Sequence, residues 1–105
     1  MDFRMNNHKW LIKEVSRDSI LQIYKEDTGE DALFVYGLTK YDMHIIFINE
    51  EMCFEMKRKT LLHELLHCYI EEYVSIDLDN FNEETMCNIC ANSHDIIHEI
   101  INKYD

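Results

Sequence analysis

Two kinds of hydrophobic spacing divide the chain. In the first half, apolar residues come in short runs of β-forming type. The stretch "KWLIKEV" is apolar and partly alternating, which predicts a strand over 9–15. Residues 16–31 are polar at both ends. Their middle, "ILQIY", fits a short helix or a continuation of the strand, and "EDTGED" closes it as a turn. A second strand is predicted over 32–39, a turn over 40–42 and a third strand over 43–49.

From residue 50 the period changes. Leu61, Leu62, Leu65, Leu66, Tyr69, Ile70 and Tyr73 recur at three- and four-residue steps, which predicts a helix over 50–74. Residues 75–80 read as a loop rich in cap candidates. A second helix over 81–104 carries Met86, Ile89, Cys90, Ile96, Ile97, Ile100, Ile101 and Tyr104. Strands first and two long helices afterwards predict an α+β fold. The helices would lie on one face of a small, mostly antiparallel three-stranded sheet. The length of 105 residues fits one domain spanning 1–105.

Composition narrows the function classes. An apolar fraction of 47% is globular in type. No apolar run approaches the ~20 residues that span a bilayer, and the first ten residues lack a signal-peptide core. The expected setting is therefore cytoplasmic, with no membrane. A net charge of −11 argues against nucleic acid and permits a basic partner or substrate. Of the four cysteines, Cys87 and Cys90 form half of a metal knuckle with no second pair to complete it. They are expected to be small buried hydrophobes on a helix.

The chemistry concentrates in "HELLH", residues 63–67. Two histidines four apart lie one turn apart on one helix face, so both imidazoles can reach one tetrahedral zinc. Glu64 points about 100° away around the helix. There it can act as general base toward the water that the metal activates, without ligating the metal itself. Such a site needs a third ligand, and Glu83 and Glu84 stand at the start of the next helix. Helical phase puts Glu83 beside the isoleucine stripe and Glu84 on the face of Asn88, Ala91 and Asp95.

The stretches "KTLLHELLHCYIEE" and "NEETMCNICA" together resemble the gluzincin clan of metallopeptidases, above all the small minigluzincins and similar short phage and prophage proteins. "GLTKYDMHIIFINE" adds to the likeness, which covers roughly residues 33–100. The resemblance implies zinc held by His63, His67 and Glu84, with Glu64 as the general base. Asn88 would brace a zinc histidine from behind. Glu84 is preferred to Glu83 on the resemblance, since a helix start can rotate away from its later phase.

Full-size gluzincins close their cleft with a second subdomain that supplies an oxyanion donor, and none is expected within these residues. Tyr36, Tyr41, Tyr69 and Tyr73 are the candidate donors. His94 and His98 match no such role and are expected to be a structural pair; His8 and His44 carry no pattern. Two functions follow. One is a zinc peptidase whose peptide or protein substrate adds a strand beside 43–49. The other is a non-catalytic zinc-fold protein whose acidic surface binds or inhibits a partner. Composition and spacing leave the oligomeric state open.

Overall fold

The computed structural model describes residues 1–74 and 82–104. Its elements run β1 (Asp2–Met5), β2 (His8–Val15), α1 (Arg17–Thr28), β3 (Gly37–Lys40), β4 (Ile45–Asn49), α2 (Phe54–Tyr73) and α3 (Glu83–Tyr104). The fold is α+β, as expected, but the expected sheet and helix count are corrected. Among the described residues there are three helices and one four-stranded mixed sheet of order β1-β2-β4-β3. The loop predicted over 75–80 lies outside the described residues.

The unexpected first strand is half of a hairpin. Asn6 and Asn7 both take positive φ, 51° and 64°, the backbone of the tight turn that matches strand twist. Met5 then pairs with His8 and Asp2 with Leu11. Phe3 and Met5 alternate inward with polar neighbours, which is a strand's period of two.

Residues 16–31 resolve in favour of helix. The Ser16 hydroxyl accepts the Ser19 N–H at 3.2 Å and caps the start of α1. Gly29, at φ 75°, ends it by donating its N–H to the Lys25 carbonyl at 2.8 Å. This helix is what makes the sheet mixed. It carries the chain back across the sheet, so that β4 runs parallel to β2, with Leu11 opposite Ile45 and Val15 opposite Asn49. β3 then pairs antiparallel with β4 on the outer side. The strand predicted over 32–39 is thus only its last part plus Lys40.

The helices do not share one face. Along β4, Ile45 and Phe47 turn to one side and join Ile20, Val35 and the α1 residues Leu21, Ile23 and Tyr24. Ile46 and Ile48 turn to the other side, where Leu61 and Leu65 of α2 and Ile89, Ile97 and Ile101 of α3 complete the main core around Trp10. A strand covered on both faces has no exposed side, which is why "IIFIN" is buried throughout. No helix among the described residues is long and apolar enough to cross a membrane.

Candidate active site

α2 begins at Phe54, not at residue 50, because Asn49 holds the preceding turn. Its buried side chain donates to the Val35 carbonyl at 3.1 Å and accepts the Glu51 N–H at 2.9 Å. The same residue therefore fixes both the entry to α2 and the segment leading into β3. Leu61, Leu65, Cys68 and Tyr69 bury the inner face of α2. His63 and His67 are left exposed on its outer side.

The two imidazoles converge. Their Nε2 atoms lie 3.2 Å apart, with the rings edge to face at 4.9 Å. Two nitrogens bonded to one tetrahedral zinc at 2.0–2.1 Å would stand about 3.3 Å apart. The pair thus already has the spacing that a shared ion requires.

Glu64 turns the other way, into the sheet edge, and is buried. The Thr39 hydroxyl, on β3, donates to Glu64 Oε2 at 2.7 Å. This close approach depends on Gly37. A Cβ at that position would come within 2.6 Å of Thr60 Cγ2 and 3.3 Å of Glu64 Cγ. A glycine inside a strand marks such an approach, and it is the sequence signal by which Gly37 and Thr39 could have been singled out. Between β3 and α2 opens a cleft of about 320 Å³, lined by Tyr36, Gly37, Met56, Lys59, Thr60, His63 and Glu64.

The third expected ligand is not brought to this pair. Among the described residues, the one trio of His, Cys, Asp or Glu donors lying within 4.8 Å of one another is His8, His44 and Glu72. Asn82 caps α3, its side-chain oxygen accepting from the Thr85 N–H at 2.9 Å and the Thr85 hydroxyl at 3.1 Å. The helix is therefore in phase from its first turn. Cys90, Ser93, His94, Ile97 and His98 of α3 line a groove with Leu62 and Leu66 of α2. Glu84, Asn88, Ala91 and Asp95 are all exposed. The face on which Glu84 stands is thus turned to solvent, while Ile89, Ser93 and Ile97 are the buried side of the helix.

The tyrosine candidates separate by position. Tyr69 is buried in the core, and the Tyr73 hydroxyl accepts the Asn6 N–H at 2.6 Å by the β1–β2 turn. Tyr36 lines the cleft. Partial burial, and then the charges of Glu64 and Glu71, push the Tyr41 phenol up, so it remains a protonated donor. Cys87 and Cys90 are exposed rather than buried; Cys68 is the buried thiol. Burial, followed by the charges of Glu64 and Glu72, pushes that thiol well up. The His94 and His98 rings lie 4.2 Å apart, tilted by 32°, and His94 pairs with Asp95 at 3.2 Å.

No family model matches the chain, and no curated protein or solved structure is significantly similar to it.

Proposed function

We propose that the chain is a zinc-dependent peptidase of the gluzincin type, acting on a peptide or protein substrate. The observation that carries this reading is the 3.2 Å approach of His63 and His67 beside a buried carboxylate at the wall of an open cleft. His63 and His67 would hold the zinc. Glu84 is the proposed third donor, which requires the first turn of α3 to rotate from the phase that Asn82 sets. When bound, the ion supplies Lewis acidity toward the scissile carbonyl and toward water.

The chain's own groups do the rest. Thr39 occupies Glu64 Oε2, which leaves the other carboxylate oxygen to accept the water's proton. Glu64 then returns that proton to the leaving amine. Tyr36, which lines the cleft, and Tyr41 would serve as donors to the developing oxyanion. The substrate strand cannot lie beside β4, which is paired on both sides by β2 and β3. β3 is the sheet edge along the cleft, and there a peptide adds by main-chain hydrogen bonds. The four free cysteines suit a reducing, cytoplasmic setting.

One observation favours a non-catalytic, partner-binding protein instead: neither Glu83 nor Glu84 joins the histidine pair. Metal analysis and peptide-library cleavage, with Glu64→Gln beside the wild type, separate the two. The peptidase reading expects about one zinc per chain from this site. It also expects cleavage that falls 10²–10⁴-fold in the variant while zinc is kept. Zinc without cleavage by the wild type transfers the proposal to partner binding; no zinc at His63 and His67 ends the peptidase reading.

A further inference from the structure

We propose that His8, His44 and Glu72 form a second metal site, for a divalent transition-metal ion such as Zn2+, Co2+ or Ni2+. These residues come from three separate places. His8 opens β2 just after the β1–β2 turn, His44 stands in the turn before β4, and Glu72 is in the last turn of α2. Glu72 lies five residues beyond His67 and about 140° further round the helix, so the two sites do not share donors.

The donors are assembled and oriented. Glu72 Oε2 is 2.6 Å from His8 Nδ1, and Oε1 is 3.8 Å from His44 Nε2. Donors on a tetrahedral ion stand about 3.3 Å apart. The two gaps run to different carboxylate oxygens, but one donor atom from each residue lies within 4.8 Å of the others, and the imidazoles can close to the common spacing because they sit at the surface. The His8 and His44 side chains are 53% and 39% exposed, whereas that of Glu72 is 4% exposed. A carboxylate so far removed from water needs a positive partner. Protonated imidazoles can provide it, and so can a metal ion that replaces the bridging proton.

The surroundings hold the donors as metal sites hold theirs. The Trp10 N–H reaches Glu72 Oε1 at 3.3 Å and orients the carboxylate. The two imidazole rings stack at 5.2 Å and 15°, and His44 rests on Trp10 at 4.7 Å. The Asn6 side chain donates to the Glu72 carbonyl at 3.0 Å, pinning the hairpin to the helix end. His44 itself takes φ 54°, a backbone that suits glycine or asparagine better, with its carbonyl held by the Leu11 N–H at 2.9 Å. Two imidazoles and one carboxylate are a donor set for zinc, cobalt or nickel, with a position left for water. Bound there, the ion ties both turns to the end of α2.

Trp10 is the chain's single tryptophan, so its fluorescence reports on this site directly. The test titrates Ni2+ into a His63→Ala/His67→Ala protein, which removes the motif site and leaves Trp10 to report on ions bound beside it. The expected result is saturable quenching at one equivalent at about pH 7.5, weakened at least tenfold at about pH 5.5, because ligating imidazoles must be unprotonated. Adding His8→Gln or His44→Asn should weaken binding at least tenfold; asparagine tolerates the left-handed backbone, so the fold is kept. Absence of saturable quenching in the folded His63→Ala/His67→Ala protein overturns the proposal. So does unchanged binding in both added variants. Failure of the motif site alone would show instead as one ion per wild-type chain, still sensitive to His8 and His44.

Discussion

Replacing Gly37 by alanine adds one methyl group at the place where β3 touches α2. The new carbon would stand 2.6 Å from Thr60 Cγ2, 3.2 Å from the Phe47 carbonyl oxygen and 3.3 Å from Glu64 Cγ. Carbon atoms in contact prefer about 3.5–4.0 Å, so Thr60 must leave its rotamer or strand and helix must separate, by up to roughly 1 Å. Overpacking of this kind costs about 1–3 kcal/mol. Alanine also restricts the unfolded chain, which returns roughly 0.4–1 kcal/mol. The net expectation is a loss of about 1–2 kcal/mol, or about 0.5–1 M in the urea midpoint for a protein of this size. Activity should fall further than stability, since a 1 Å misplacement at a reacting group can cost ~10²-fold. Thr60→Ser removes the Cγ2 atom that is struck first. The pair should therefore couple favourably, by at least about 1 kcal/mol in a double-mutant cycle. A Gly37→Ala protein with the wild-type midpoint, or a cycle with zero coupling, would refute the claim that Gly37 sets the distance between the edge strand and Glu64.

Thr39→Val keeps the shape of the side chain but strips Glu64 of its hydroxyl donor; stability should fall by about 1.5–3 kcal/mol, the worth of a hydrogen bond to a charged group, read by chemical denaturation. Of the four thiols, Cys53, Cys87 and Cys90 should react quickly with a thiol reagent near neutral pH, while Cys68 reacts only on unfolding, since it is buried and its thiolate is disfavoured; a mass-resolved time course checks this. For the third ligand, Glu84→Ala should weaken zinc binding 10-fold or more while Glu83→Ala leaves it unchanged. The reverse outcome in a zinc competition titration would assign the role to Glu83, which helical phase places on the stripe of Cys90, His94 and Ile97.

Local order was legible along the chain. The helical stripe of Leu61, Leu65 and Tyr69 marks the buried face of α2, and the spacing of His63 and His67 already puts both imidazoles on one outer face. These are properties of one helix, set by its period of 3.6 residues. The α+β class follows from the order of apolar runs in the same way. The pairing of the strands does not. Which edge "GLTK" occupies depends on α1 carrying the chain across the sheet, and nothing in the apolar runs distinguishes a parallel return from an antiparallel one. β1 escaped because Asn6-Asn7 supplies its two positive φ angles without glycine. Gly37 is marked by being a glycine inside a strand, but what it and Thr39 touch, and the roles of His8, His44 and Glu72, are not readable along the chain, for a single reason. Each acts on a partner tens of residues away, such as Thr39 on Glu64 or His8 on Glu72, and only the packing of strands against α2 brings such pairs within hydrogen-bonding distance.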